Sequence, residues 1–240
     1  MEEKRIKVLT LGDMPLSTSG VGNQSKYVIE TLLRSNKFDV FSLGGAMKHP
    51  QYNIIHTEEW KERWKILPVD QFGTKELLRS IIRREKPDII WFMTDPRFWG
   101  WLWSIDNEVR THVPMVYYHV WDNKPYPMYN KGHYLSNDKI VCISKVTHDI
   151  VQHVTPEIDN CYLPHAVDSD VFKPLPRNEV LNLKHTTIPN SKDKMTFFWN
   201  NRNARRKQSG SLIFWFKEFL DKVGHDKAVL LMHTDPGDVH

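Results

Sequence analysis

Two loops hold the residues best suited to chemistry. The first, GDMPLSTSGVG, leaves the apolar run IKVLTL and opens a helical pattern, NQSKYVIETLLRS. Ser17, Thr18, Ser19, Gly20 and Gly22, with Val21 between the glycines, are small enough to bring backbone N–H groups and a helix N-terminus up to an anion. Gly20 and Gly22 are also free to adopt φ > 0. The second loop, NNRNARRKQ, follows MTFFW and places Arg202, Arg205, Arg206 and Lys207 ahead of a helix beginning near Ser209. Helix dipole, backbone donors and guanidinium groups there favour a diphosphate. Each loop also has a plain reading, as a flexible connector or a solvated charged face. His119 and Asp122 in YYHVWD, Ser144 after KIVCI and His165 in LPHAVDSD close further apolar runs. A lone histidine at the end of a strand is more often a hydrogen-bonded structural residue.

Several chemistries lack their residues. The chain has no G-x-S-x-G, no P-loop, no H-E-x-x-H and no Cys/His zinc spacing, so nucleophilic hydrolysis and metal catalysis have no support, and neither metal nor cofactor is expected. The segment from Gly20 to Ser25 falls one residue short of a G-x-G-x-x-G dinucleotide fingerprint. That fingerprint wants its first glycine directly after the strand and an acid ending the second strand, where this chain has Ser42, Leu43 and Gly44. A nicotinamide- or flavin-dependent oxidoreductase is therefore a distant alternative.

The elements that must position these residues alternate in type. Ile6 to Leu11 is apolar at nearly every position, the mark of a parallel strand covered on both faces. A helix is expected over 23–35, a strand over 38–43, a helix from an N-cap at Thr74 to Pro87, and a strand over 88–93. The tryptophans of TDPRFWGWLWSIDNEV read as a hydrophobic contact, with an exposed aromatic patch as the alternative. Strands ending at His119 and Ser144 and a helix over 145–154 complete a doubly wound α/β sheet with right-handed crossovers, spanning 1–173. Residues 174–194 are polar and proline-marked, hence a linker, and 195–240 restart the unit as an incomplete second domain. Ligands of such sheets sit at the carboxyl ends of strands, which selects the loops after Leu11, Met93, His119, Ile143, Leu163 and Trp199.

Composition narrows the class. With 240 residues, 40% hydrophobic and 26% charged, the chain has ordinary globular makeup. The charge of +4 fits phosphate-bearing ligands without indicating nucleic acid. Cys142 and Cys161 read as reduced packing residues, which suggests a cytoplasmic protein. No window reaches the ~18 apolar residues of a membrane span, although peripheral membrane contact stays open.

Taken in order, STSGVG, YYHVWD, VCISKVTHDIV, YLPHAVDSDVFKP and NNRNARRKQ resemble the retaining GT-B glycosyltransferases of family 4. The usual forms there are S-G-G-x-G, N-G-V-D-x-x-x-F and G-R-x-x-x-x-K; this chain has His165-Ala166 for Asn-Gly and Asn201 for the glycine, and keeps Arg202 and Lys207. The resemblance implies a GT-B fold of two Rossmann-like domains, with an acceptor (glycan, lipid-linked or small molecule) on the first and a nucleotide-sugar donor on the second. The reaction would run in the cleft between them. Ser19, Gly20, Val21 and Gly22 would lie against the donor diphosphate, with Asp122, Ser144 and His165 lining the substrate. Arg202 and Lys207 would bind the diphosphate and stabilise its departure, and His119 would touch the transferred sugar. Such enzymes need no metal and carry an E-x7-E motif far into the second domain. Its lack before His240 implies a fragment of a longer enzyme, with a carbohydrate- or nucleotide-binding remnant as the alternative.

Overall fold

The computed structural model describes residues 4–237 and divides into two compact units, Met1–Val167 and Asp168–His240. Residues 1–3 and 238–240, the outer ends of the two expected domains, lie outside the described residues.

Unit 1 is one eight-stranded sheet. Its strands are β1 (Ile6–Asp13), β2 (Phe38–Gly45), β3 (Ile55–His56), β4 (Trp64–Pro68), β5 (Ile89–Met93), β6 (Met115–His119), β7 (Lys139–Cys142) and β8 (Asn160–Tyr162). They lie in the order β3-β4-β2-β1-β5-β6-β7-β8. Every pairing is parallel except β3 with β4. Its helices are α1 (Gly20–Arg34), α2 (Lys75–Glu85), α3 (Gly100–Trp103), α4 (Asp106–Arg110), α5 (Lys131–Leu135) and α6 (Lys145–Val154). From β1 the chain winds outward through β2 to β4, then returns to the other side of β1 and winds through β5 to β8. The order therefore reverses between β1 and β5, the place where doubly wound sheets bind ligands.

Burial explains the apolar runs. β1 and β2 are buried on both faces along their inner halves. α1 seals one side with Ile29 and Leu33, while α2 and α6 contribute Leu78, Ile81, Ile150 and Val151 to the large core. Thr74 caps α2 as its sequence suggests, accepting from Leu77 N, and Lys86 in the left-handed region (φ 49°) ends the helix. The tryptophan-rich stretch is broken into a 3-10 turn, α3 and α4 rather than one helix. Trp99 and Trp103 are buried within a ring cluster that includes Phe92 and Tyr117. Trp99→Ala is expected to cost about 3–5 kcal/mol, read by urea unfolding; a loss under about 1 kcal/mol would return that stretch to the surface.

Unit 2 holds α7 (Arg177–Thr187), β9 (Met195–Asn200), α8 (Ser209–Val223) and β10 (Ala228–His233), with β9 and β10 parallel. The stretch read as linker thus carries a helix, and no residue of α7 is buried. Ile213, Phe214 and Trp215 of α8 stay exposed, as does Phe198 of β9. Among the described residues no helix is long and apolar enough to cross a membrane.

Candidate functional site

In unit 1 the carboxyl edge near the reversal gathers the first loop. α1 starts at Gly20, three residues before the helix expected from the sequence. Ser19 is its N-cap, accepting from Gly22 N at 2.9 Å while donating to Asp13 Oδ2 at 2.8 Å. Burial raises the Asp13 carboxyl above its ordinary value, with the Ser19 bond opposing. A cap hydroxyl and a carboxylate therefore already occupy this helix N-terminus, the two groups that favour it most. By itself the loop offers an incoming phosphate little.

The glycines differ from expectation. Neither Gly20 nor Gly22 is among the positive-φ residues. A Cβ on Gly20 would meet nothing within 4 Å, whereas one on Gly22 would lie 2.6 Å from the Met14 carbonyl oxygen and 2.5 Å from Ser17 Oγ. The close approach is made by the loop's own backbone, and it falls at Gly22 only.

His165 is brought to this edge by a contact the sequence conceals. Gln24 Nε2 donates to Ala166 O at 2.6 Å and Gln24 Oε1 accepts from Ala166 N at 3.1 Å, across 142 residues of chain. Tyr118 Oη donates to Leu163 O at 3.0 Å, and its ring lies 5.5 Å from that of His165. Val21 packs beside Met93 and Tyr118. Ser144 caps α6 through Thr147 N, and Asp122 is exposed.

His119 is enclosed. Its ring has no exposed surface, Nε2 shares a 2.8 Å hydrogen bond with the Tyr134 hydroxyl, and Nδ1 is buried without a partner. The resemblance gives it a sugar contact; here any part it plays is carried through the groups around it. Burial, against the Asp95 carboxylate, pushes its pKa down to about 3. It is a neutral imidazole across the working pH range, which suits neither a general acid nor a cation. The unfolded chain would take up this proton near the ordinary 6.5, so the group's contribution to stability is whole above that pH and falls as pH drops toward 3. Unfolding free energy should decline by up to about 1.4 kcal/mol per pH unit in that window through this group. His119→Gln should flatten the slope, and urea titrations over the window giving equal slopes would remove this account.

Beside it the chain stores strain. Thr94, next after β5, is buried with φ 124°, a region hostile to β-branched residues, and its carbonyl accepts from Tyr117 Oη at 2.6 Å. Asp95 then grips Arg97 through paired bonds of 2.8 and 2.9 Å. Burial raises that carboxyl, but the Arg97 side chain and backbone N–H outweigh it and hold it below its ordinary value. No sequence signal marked Asp13, Gln24, Thr94 or Tyr134 as members of this edge.

In unit 2 the basic loop lies between the carboxyl end of β9 and the start of α8. Arg205–Lys207 form one 3-10 turn and Gln208 takes a left-handed conformation (φ 54°) that turns the chain into α8. Arg202, Arg205 and Arg206 are exposed and Lys207 half-buried. No side chain caps α8, and its first turn has no acidic residue. An open hollow of about 530 Å³ faces this turn, lined by residues 203–205 and 208–211. In unit 1 the contacts join the first loop to His165 through Gln24 and Ala166, while His119 is enclosed and nothing among the described residues links Asp122 or Ser144 to that loop; in unit 2 Arg202 and Lys207 belong to one loop.

No protein-family model and no curated protein matches the sequence. Solved structures match its fold. An E. coli trehalose-6-phosphate structure bound with UDP-2-fluoro glucose aligns at TM-score 0.63 with 12% identity, over 98% of this chain and 66% of its own. The α,α-trehalose 6-phosphate synthase from Burkholderia multivorans gives 0.52 at 10% identity, over 97% and 64%. The catalytic domain of starch synthase IV from Arabidopsis thaliana, bound to ADP and acarbose, gives 0.56 at 9%, over 97% and 75%. This chain spans just under two thirds of the length of both trehalose-related structures. Identities this low speak for the fold alone, and the fold is the α/β, Rossmann-like architecture of the GT-B glycosyltransferases.

Proposed function

We propose that this chain is the acceptor-side domain and the opening of the donor-side domain of a glycosyltransferase, transferring a sugar from a nucleotide-diphosphate donor to an acceptor hydroxyl with retention, in the manner of family 4. The observation that carries the reading is the position of Arg202 and Lys207, in a loop that leaves β9 at its carboxyl end and leads into the uncapped 15-residue helix α8. Guanidinium and ammonium groups there bind a diphosphate and offset its charge as the anomeric C–O bond breaks. The departing phosphate oxygen takes the acceptor proton while the acceptor oxygen bonds to the anomeric carbon on the same face. With Arg202 and Lys207 meeting the charge, the step uses no metal. On unit 1, Ser19, Gly20, Val21, Gly22, Asp122, Ser144 and His165 form the substrate edge. A cytoplasmic location is part of this reading; Cys142 and Cys161 are free thiols, paired across β7 and β8 with Tyr162 and Val141 rather than with each other.

UDP and ADP are the first nucleotides to try, because the structural neighbours carry UDP-2-fluoro glucose and ADP. Calorimetric titration with UDP-, ADP- and GDP-glucose should give saturable binding of at least one. Heat from none of the three, in folded protein, would end the donor-site reading.

A further inference from the structure

The carboxyl edge of unit 1 carries a second surface besides the loop that opens α1. β5 and β6 are neighbours, with Met93 opposite Tyr118, so the turns that leave them start side by side. Trp121 and Tyr129 belong to the turn after β6. Their rings stand at 79° with centroids 6.2 Å apart and form a corner. Tyr129 is 73% exposed; Trp121 is half-buried, packed against the large core, and its indole N–H donates to Asn123 O at 3.0 Å. With that donor used inside the loop, the corner offers ring surface and the Tyr129 hydroxyl.

The loop that presents these rings is anchored. Tyr126 stacks on His153 of α6 at 3.7 Å, and both the Tyr126 hydroxyl and Lys124 Nζ donate to Asp149 Oδ2. Met128 N and Asn130 N bond back to Tyr126 O and Pro127 O. An exposed tyrosine on so ordered a turn brings a large amphipathic surface to a ligand at little entropic cost.

Charge selects the ligand. Arg97 is matched by Asp95, Lys124 by Asp149 and Lys131 by Glu157. Asp122, next after Trp121, is exposed and has no ion pair among the described residues. A phosphate or an acidic membrane surface would meet a surplus carboxylate, and a bilayer would have to strip it of water. A neutral ring with an apolar C–H face and a rim of hydroxyls meets neither cost. Arg97 lies within the electrostatic reach of this corner: Asp95 raises its pKa and the Tyr129 hydroxyl adds to the rise. Asp95 takes Nε and Nη2 of that exposed side chain, which leaves Nη1 to donate to a hydroxyl oxygen.

We infer that the corner of Trp121 and Tyr129 is a binding site for a pyranose ring of a neutral carbohydrate: the sugar's C–H face packs on the aromatic rings, and its hydroxyls donate to Asp122 and accept from Arg97. The inference rests on the glycosyltransferase reading only for calling that sugar the acceptor. Under that reading the acceptor hydroxyl belongs to a sugar.

The test is saturation-transfer NMR on the full chain with maltose, cellobiose, lactose, mannobiose and chitobiose, followed by titration of the strongest binder. Ring C–H protons of at least one disaccharide should take up saturation. Tyr129→Ala should raise its Kd about threefold to tenfold, and Tyr129→Phe, which keeps the ring, should restore most of the affinity; a melting curve confirms that each variant folds. Asp122→Asn should weaken the same sugar. Saturation transfer to none of the disaccharides, or Tyr129→Ala binding the best of them like the parent, overturns the site. Phosphatidylcholine vesicles or uridine bound by the parent and released by Tyr129→Ala, with no sugar bound, also overturn it and give the corner to a membrane or a nucleobase. UDP titrated alongside separates this inference from the donor reading. UDP that binds parent and Tyr129→Ala equally while no sugar binds ends the sugar site and leaves the donor reading standing. A sugar that binds through Tyr129 while no nucleoside diphosphate binds supports the site and ends the donor reading.

Discussion

Lys207→Ala is expected to weaken binding of a nucleoside diphosphate roughly tenfold to a hundredfold, and Arg202→Ala to do the same. Each removes charge-assisted hydrogen bonds worth about 1.5–3 kcal/mol, and about 1.4 kcal/mol is a factor of ten in affinity. Lys207 is half-buried and Arg202 exposed, so solvent screening places Arg202 nearer the lower figure unless it forms a two-pronged contact. Calorimetry with UDP and ADP at fixed salt separates the cases. Lys207→Arg should keep most of the affinity, because a long cationic side chain remains at the same turn. Unaltered affinity in both alanine variants would place the diphosphate elsewhere. Raising the salt should weaken the parent and flatten the difference, as screening of exposed charge requires.

Gly22→Ala should destabilise unit 1 by about 1–3 kcal/mol, a fall in Tm of roughly 2–12 °C, while Gly20→Ala should be neutral or stabilising by up to about 1 kcal/mol. The two positions share a loop and differ in surroundings. A methyl on Gly22 would press on the Met14 carbonyl oxygen, which accepts from Ser17 N at 2.9 Å, and on the Oγ atoms of Ser17 and Ser19. Relief requires moving backbone, and with it the Ser19 cap and its bond to Asp13. The added methyl at Gly20 has open space and favours the helical conformation that residue already has. Thermal melts of the two single variants decide the matter, and equal melting temperatures would refute the crowding at Gly22.

Local pattern made much of this legible. The strands of unit 1 are continuous apolar runs because a parallel sheet covered by helices leaves them no solvent face. Thr74, one residue before a helical stripe, announced the start of α2. The basic loop between an apolar run and an amphipathic run located Arg202 to Lys207 at a strand's carboxyl end, and the same junction pointed to Ser209 as a helix start. Where several short signals had to be weighed together, the pattern blurred. TDPRFWGWLWSIDNEV has the spacing of a helix, yet it folds as three short turns that break at Trp99 and at Ser104–Ile105, while Trp99 and Trp103, one turn apart, both meet Phe92. Polar, proline-marked residues 174–194 hid α7, whose apolar side chains find no cover within unit 2.

Burial and long-range pairing lay beyond the sequence. Whether His119 faces a ligand or a wall depends on Tyr134, Tyr117 and the chain turning at Thr94, all placed by separate strands and helices. That Gly22 and not Gly20 is the crowded glycine depends on where the Met14 carbonyl points. The bond that brings His165 to the first loop joins Gln24 to Ala166, and no spacing rule connects residues so far apart. Side-chain period and local turn chemistry were enough to place the main strands of unit 1, the helices α2, α6 and α8, and the loops that collect small or basic residues. Which helix start is already capped emerged only with the fold: Ser19 and Asp13, the last residue of β1, close that of α1, and no side chain caps α8. The physical reason is that hydrogen-bond satisfaction and desolvation are properties of a group's full surroundings, and those exist once the chain has folded.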